Sequence, residues 1–185
     1  AYKFLKRVHT FVSTHIERGQ HQPNLIVDIS ALAEDAQNLY RKLHETIQKV
    51  TNDIGHRYHF NTAIAAVMEL TNQAMKFKPS DSSDWIVQSS VVETIIILLS
   101  PIVPHVTAHL WTQLGYQNQV HQQAWPEVRD EALVRNTFTM VVQVNGKLRS
   151  RLEVPANSNE QLILEMARND PQVLKFLGIE KGGKR

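Results

Sequence analysis

The chain has no cysteine among its 185 residues. Disulfide bonds, thiolate-ligated metal sites and a cysteine nucleophile are therefore excluded, which fits a protein of the reducing cytoplasm. It also lacks an apolar run of about 18 residues, since Glu93 and Thr94 interrupt the most apolar segment, Val91 to Leu99. The first residues mix apolar side chains with lysine and arginine rather than forming a secretory signal. We therefore expect no membrane association and a cytoplasmic location.

Neither sign of charge dominates the chain. Its 20 lysines and arginines face 18 aspartates and glutamates, which leaves a formal net charge of +2. The surplus falls after residue 120, and the part before it is neutral. So small an excess does not indicate a general nucleic-acid binder, so any such surface must be local.

Motifs that would indicate catalysis are also missing. The sequence contains no Gly-rich phosphate loop, no Gly-x-Ser-x-Gly and no His-Glu-x-x-His. His105 and His109 have the spacing of neighbours on one helix face, but no third ligand is placed to complete a metal site. We interpret His105 as packed near the Pro101 to Pro104 corner and His109 as facing solvent. No catalytic and no metal-ligating residue is predicted.

An amphipathic pattern from Phe60 to Phe77 is the clearest structural signal. Its apolar residues recur at steps of three and four, the spacing of one helix face. So broad an apolar face requires neighbouring helices, and the alanines in it allow them to approach closely. The stripe comprises Phe60, Ala63, Val67, Leu70, Ala74 and Phe77, widened by Ile64, Met68 and Met75.

Four further helices are predicted around this one. The first covers residues 1–18, and the second runs from Ser30, as N-cap, to Ile54, with Gly55 as a left-handed C-cap. Asp84 is expected to cap the fourth, which is apolar nearly all round and therefore central, although its β-branched residues also favour a strand. The fifth ends at Gly115. The prediction is a mainly α fold that begins with an antiparallel helical bundle.

A β-hairpin is predicted over residues 138–154, where two alternating runs flank Asn145-Gly146. A two-residue turn would mix basic and apolar side chains on both faces. A three-residue loop with Gly146 in the left-handed region pairs Val142 with Leu148 and separates them, so we prefer it. One face then holds Met140, Val142, Leu148, Ser150 and Leu152, and the other holds Gln143, Lys147, Arg149 and Arg151.

The basic face of this hairpin is the leading candidate site. Lys147, Arg149 and Arg151 would project together about 7 Å apart. Such spacing suits successive phosphates of a nucleic acid, but an ordinary solvated or charge-protected strand face explains it equally well. The weaker candidates are Arg41 and Lys42 on the second helix and Arg57 in the short link after it. We expect these side chains to be solvated or paired within the bundle.

Three parts are expected along the chain: a bundle over residues 1–115, a connector packed on it over 116–136, and an α+β module over 137–185. In the module, Ser158 and Gln161 form a capping box that opens a helix to Arg168, and Asp170-Pro171 starts a short helix ending at Gly178. A lone hairpin is marginally stable, so this module looks incomplete before the tail of residues 181–185. Residue 1 already lies inside a helical pattern, which indicates a piece of a longer polypeptide.

Four stretches resemble the C-terminal part of bacterial leucyl-tRNA synthetases, which are class I enzymes. The Leu-x-Pro-x-x-Pro-His…Leu-Trp pattern is shared with the valyl and isoleucyl enzymes, whereas FNTAIAAVMEL followed by VVQVNGKLR is more specific to the leucyl enzyme. The resemblance extends from about Ala1 to Gly178. The stretches are RKLHETIQKVTNDIGHRYHFNTAIAAVMELTNQ, LLSPIVPHVTAHLWTQLG, AWPEVRDEALV and MVVQVNGKLRSRLEVP.

The resemblance implies a bundle of the anticodon-binding type followed by part of a C-terminal domain. Parent enzymes of this kind activate leucine with ATP and Mg, charge tRNA and edit mischarged tRNA in upstream catalytic and editing domains of the same polypeptide. The bundle braces the tRNA, and the C-terminal domain touches its outer corner. The ATP-binding signatures His-Ile-Gly-His and Lys-Met-Ser-Lys-Ser are absent from this sequence, so no catalytic or editing residue and no cofactor is assigned to it.

The function expected on this basis is binding of leucine-specific tRNA by an inactive, monomeric fragment of leucine–tRNA ligase. The expected tRNA contacts are Lys147, Arg149, Arg151, Arg41, Lys42 and Arg57. Two alternatives stay open: a bundle from a valyl- or isoleucyl-tRNA synthetase, and a non-enzymatic helical module that binds another protein.

Overall fold

The structure is a computed structural model that describes residues 2–19, 21–22, 27–134, 137–156 and 158–177. Two compact units divide the chain between Leu133 and Val134. The regular elements described in the first unit are all helices or 3-10 turns, and the second unit combines a two-stranded antiparallel sheet with two short helices. Gly178, expected to end the last helix, and the tail of residues 181–185 lie outside the described residues.

Helices of the first unit confirm the mainly α prediction. They are α1 (Tyr2–Glu17), α2 (Glu34–Gly55), α3 (Phe60–Lys76), α4 (Ser82–Leu99), α5 (Pro104–Gln113) and α6 (Asp130–Leu133), with short 3-10 turns at Ile29–Ala31 and Val120–Gln122. The helices α2 and α3 are antiparallel, since Gln73 bonds to the Asn38 carbonyl near one end and Lys42 pairs with Glu69 farther along.

The helix α3 lies in the packed interior of this unit. Ala63, Val67, Leu70 and Ala74 of the predicted stripe are buried, as is Ala66. Near its two ends the predicted stripe is not buried: Phe60 is 46% exposed and Met75 is 42% exposed. Met75 was expected in the core, but it lies beside the guanidinium of Arg7, with Nη2 3.8 Å from its sulfur.

The apolar helix α4 is the centre of the bundle, and it contacts α2, α3 and α5. By length and composition alone it passes as a membrane span, but 61% of that window is buried inside the unit. Hydroxyl groups within it are satisfied locally, as where Ser89 donates to the Trp85 carbonyl and Ser90 to the Ile86 carbonyl. It is therefore the core helix of a bundle.

Two predicted N-caps are wrong by a few residues. Asp81, not Asp84, caps α4 and accepts a bond from the Asp84 amide, while the Asp84 carboxylate accepts from the amide and hydroxyl of Ser80. The arrangement resembles a capping box, except that Asp84 accepts from Ser80 rather than from the cap residue Asp81. At the start of α2, Ser30 lies in a 3-10 turn whose cap is Asp28, and the helix begins only at Glu34.

The C-cap predicted at Gly55 is also wrong. Gly55 is still helical, and the left-handed residue comes three positions later at Tyr58, with φ +54°. The His59 amide donates to the Asp53 carbonyl at 2.8 Å, which closes the turn before α3 begins. The chain therefore reverses between α2 and α3 without using its glycine.

The segment after α5 is held on the bundle by polar side chains of α2. The Trp125 indole donates to Thr51 Oγ1 at 2.8 Å, and the Arg129 amide donates to His44 Nδ1 at 3.2 Å. The Arg129 guanidinium donates to the Tyr40 hydroxyl and the Val27 carbonyl. Burial, and then the charge of Arg129, lowers the pKa of His44 to about 4.

A series of hydrogen-bonded polar side chains also lies in the interior beside α4. His15 Nε2 lies 3.2 Å from His21 Nδ1, and His21 Nε2 lies 3.2 Å from Glu93 Oε1. The Tyr116 hydroxyl donates to the same carboxylate oxygen at 2.5 Å. Burial, with the neighbouring carboxylate, raises the pKa of Tyr116. These hydrogen bonds link His15, near the end of α1, to Glu93 of α4 and to Tyr116, which follows the left-handed Gly115.

The second unit contains β1 (Thr137–Val144), β2 (Lys147–Pro155), α7 (Glu160–Asn169) and α8 (Pro171–Leu177). Asn159, not Ser158, caps α7 through a bond from the Leu162 amide. Asp170 caps α8 and also accepts a bond from the Ser150 hydroxyl, which ties that helix to β2.

The predicted hairpin register, which pairs Val142 with Leu148, is wrong along the whole hairpin. Asn145 and Gly146 both have positive φ, as a type I′ two-residue turn requires, so Val144 pairs with Lys147 and Gln143 with Leu148. The register then shifts so that Val142 pairs with Ser150. Arg149 is therefore an extra residue in β2, a bulge that reconciles the tight turn with burial of Ser150 and Val154.

We expect Leu70→Ala to lower the free energy of unfolding by about 2–5 kcal/mol, because the fully buried side chain would leave a cavity. Met75→Ala on the exposed edge of the same helix is the matched control and should cost about 0.5 kcal/mol. Urea unfolding followed by circular dichroism measures both. Equal costs would contradict the placement of α3.

Stability should also fall as the pH drops from about 6.5 towards 4. Unfolded His44 binds a proton in this range and folded His44 does not, so the depressed pKa removes up to about 3 kcal/mol by pH 4. His15, whose pKa burial also lowers, acts in the same direction. His44→Asn keeps an acceptor for the Arg129 amide without titrating, so its unfolding free energy should depend less on pH. An unchanged pH dependence would refute the assignment.

Candidate nucleic-acid interface

The bulge separates the three cations of the hairpin. Lys147 lies beside the turn and is exposed, and Arg151 is exposed on the outer face, where it pairs with Val141. Arg149 is half-buried on the inner side. The expected line of three projecting charges is therefore not formed, since the extra residue changes the alternation of side chains.

Arg149 is packed against the helix α8. Its Cζ lies 3.8 Å from the centre of the Phe176 ring, a cation–π contact, and its Nε is buried without a hydrogen-bond partner. Leu148, assigned to the apolar face by the sequence, is instead 51% exposed on the outer face. Arg149 and Leu148 have thus exchanged their predicted environments.

In the bundle, two of the three candidate cations already engage protein groups. Lys42 Nζ lies 2.8 Å from Glu69 Oε2, and this hydrogen bond and charge lower the pKa of Glu69. Arg41 donates from Nη1 to Asn38 Oδ1 at 2.9 Å and is half-buried. Both side chains therefore make contacts within the bundle and also contribute positive charge.

Arg57 lies in the exposed corner between α2 and α3, where residues 56–60 are all exposed. Its charge reaches the buried Asp53, whose pKa is lowered chiefly by the neighbouring Thr62 hydroxyl, then by Lys49 and more weakly by Arg57. The Lys49 ammonium bonds Asp53 Oδ2 at 3.0 Å. Arg57 thus provides an accessible positive charge on a well-anchored turn.

Within the described ranges, no group of three or more histidine or acidic side chains is arranged to hold a metal ion. His109 stacks on His9 of α1, with ring centres 6.2 Å apart and planes 12° from parallel, and His105 is exposed. His105 and His109 are therefore surface residues of α5.

Comparison with known protein families identifies the bundle. The family described as "Anticodon-binding domain of tRNA ligase" matches residues 36–164. This match covers most of the chain, including α2 to α5, the connector and the hairpin. The chain belongs to this family.

Curated relatives of this anticodon-binding chain are leucine–tRNA ligases. The enzyme of Alcanivorax borkumensis is 43% identical over 95% of the chain, and that of Acinetobacter baumannii is 45% identical over 96%. The chain spans 21% and 20% of their lengths. It therefore corresponds to about a fifth of such a ligase.

A solved structure has the same fold. It is the LeuRS of Agrobacterium radiobacter, crystallised as a ternary complex with tRNA and LeuAMS, and it matches with a TM-score of 0.75 and 28% identity. The match covers 95% of this chain and 22% of that one. The fold resemblance therefore extends over nearly the whole chain.

Three exposed residues of this anticodon-binding chain lie outside the predicted contact set: Lys3, Lys6 and Tyr58. Lys3 and Lys6, exposed one turn apart on α1, were used only to argue against a secretory signal. Tyr58 was read as part of a short connector, although an aromatic residue between Arg57 and His59 is a signal for RNA binding. All three lie outside the hairpin that holds the leading predicted contacts.

Arg149→Met should destabilise the second unit, because it removes the cation–π contact, which is worth about 0.5–2 kcal/mol. Methionine keeps the apolar stem of the side chain, so only the charged group is lost. Hydrogen exchange of the β2 amides should rise accordingly. Lys147→Met, beside the turn, is the control and should leave protection unchanged. Equal exchange in both variants would show that the Phe176 contact does not stabilise the hairpin.

Proposed function

We propose that this chain is the tRNA-binding part of a leucine–tRNA ligase and that its ligand is leucine-specific tRNA. The observation that carries the proposal is the anticodon-binding family match over residues 36–164, in a chain whose curated relatives are leucine–tRNA ligases. The solved neighbour, which contains tRNA, supports the same ligand.

Local cations are the means of binding in this proposal. With a net charge of only +2, the chain has no general attraction for RNA, so accessible arginines and lysines must meet individual phosphates. Lys147, Arg151 and Arg57 are exposed and serve as the principal contacts. The half-buried candidates, Arg149, Arg41 and Lys42, contribute charge at fixed positions while holding protein structure.

Chemistry is assigned to the rest of the polypeptide. Leucine activation with ATP and Mg, aminoacylation and editing belong to upstream domains, and the chain by itself is catalytically inactive and monomeric in the cytoplasm. Its role is to position tRNA for those domains. A bundle from a valyl or isoleucyl enzyme is not favoured, since the relatives named above act on leucine.

A protein-interaction module that binds no RNA is the competing class. The salt dependence of tRNA binding separates the two functions, because each phosphate contact releases counterions and steepens the dependence. A protein-binding module would show no specific retention of tRNA at moderate salt.

We expect Lys147→Ala with Arg151→Ala to weaken binding of a leucine-tRNA transcript and to flatten its salt dependence. The slope of log Kd against log salt should fall by about 1.5 to 2, since two phosphate contacts are lost. Fluorescence anisotropy at several salt concentrations measures both quantities.

Thr139→Ala, exposed on the same outer face as Arg151, is the matched control and should change neither affinity nor slope. An unchanged slope in the double variant would remove the hairpin from the tRNA interface. Failure of the parent chain to bind the transcript would overturn the proposed function itself.

A further inference from the structure

We propose that the corner between α2 and α3 binds one unpaired nucleobase, with Tyr58 as the stacking platform and Arg57 beside the adjoining phosphate. The inference rests on the proposed function in taking RNA as the ligand. It adds a second kind of contact, directed at a base rather than at the backbone.

Tyr58 presents its ring to solvent. It is 75% exposed, and the neighbouring Phe60 is 46% exposed. Most large aromatic side chains in a folded domain bury much of their surface, since this removes a large apolar area from water. Two accessible rings within three residues form a surface suited to a flat ligand.

The backbone holds this ring outward. Tyr58 has φ +54°, and among the described non-glycine residues only Asn145 shares a positive φ. Asparagine enters that region readily, whereas tyrosine does so at a cost in free energy. Strain of this kind persists where the surrounding structure enforces it, and it is concentrated at functional sites.

Hydrogen bonds made by the backbone of His59, the residue after Tyr58, hold the turn. The His59 amide donates to the Asp53 carbonyl at 2.8 Å, and the Thr62 hydroxyl donates to the His59 carbonyl at 2.9 Å. Asp53 itself is buried and bonded by Lys49 at 3.0 Å. The ring therefore stands on a fixed turn, which reduces the ordering cost of binding a ligand.

The chemistry around the ring selects RNA. Proteins read unpaired RNA by stacking its bases on aromatic side chains, and every base offers a flat face. Arg57 supplies a positive charge next to the platform, and His56 and His59 are exposed on either side. A protein partner would favour a broader apolar surface, whereas this one is a small aromatic patch among basic and imidazole groups.

Bases inside a double helix are already stacked, so the ligand must be a base in a loop, a bulge or a single-stranded end. This distinguishes the corner from the hairpin cations, which would contact phosphates in paired or unpaired RNA alike. The two contacts should consequently respond differently to salt.

The test measures binding of a leucine-tRNA transcript, a single-stranded hexanucleotide and a short RNA duplex to the parent chain and to three variants. Tyr58→Leu should weaken binding to the tRNA and the hexanucleotide by roughly 5- to 100-fold with an unchanged salt slope, and it should leave duplex binding unaltered. Tyr58→Phe, which keeps the ring, should bind within about twofold of the parent. Arg57→Gln should lower the salt slope by about 1.

A stability measurement separates functional strain from ordinary packing. Tyr58→Gly should raise the melting temperature by about 2–4 °C, since glycine adopts the left-handed conformation without strain, while binding falls as it does for Tyr58→Leu. Opposite changes in stability and binding are not expected of a residue with only a structural role.

The outcomes for the two proposals are distinct. Normal tRNA binding by Tyr58→Leu, with weakened binding by the hairpin variant, would overturn the stacking site and leave the proposed function intact. Binding of the hexanucleotide that depends on Tyr58, without binding of tRNA, would support the stacking site and overturn the proposed function. Loss of neither ligand on substitution, or binding of a protein in place of RNA, would overturn the stacking site.

Discussion

Close packing of α3 against its neighbours is the constraint on which the first unit depends. Ala63, Ala66 and Ala74 are buried and small, so adjacent helices approach the α3 backbone closely. That approach fixes the reversal between α2 and α3, and hence the corner that carries Arg57 and Tyr58. The proposed RNA-binding corner is thus positioned by apolar contacts elsewhere in the bundle.

Pairing decides which basic side chains remain available to a ligand. Lys42 and Arg41 lie on a helix and are engaged by Glu69 and Asn38. Arg149 is engaged by an aromatic ring of α8. Arg57, Lys147 and Arg151 are exposed, because they lie in turns or on the outer strand face. A count of charges along the sequence does not make this distinction, since Glu69 and Phe176 each lie 27 positions from the cation they engage.

The sequence predicted the helices well because a period of three to four residues extends over many positions, as in α2 and α3. The helix ends were harder to predict, because several residues able to cap a helix lie close together. Asp81 and Asp84 lie in one turn, as do Asp28 and Ser30, and only one residue of each pair is the cap. The hairpin register was not predictable from alternation, which assumes an uninterrupted strand. An extra residue at Arg149 reverses the environments assigned near the turn, and nothing local marks it.

The short reversal between α2 and α3 has a consequence for how the unit folds. Only four residues, 56–59, separate these helices, so their contacts require little loop closure and can form early. The bond from Arg129 to the Val27 carbonyl, by contrast, joins residues 102 positions apart. The helical pair should therefore assemble first and the connector should dock last, leaving His44 open to solvent in any late folding intermediate.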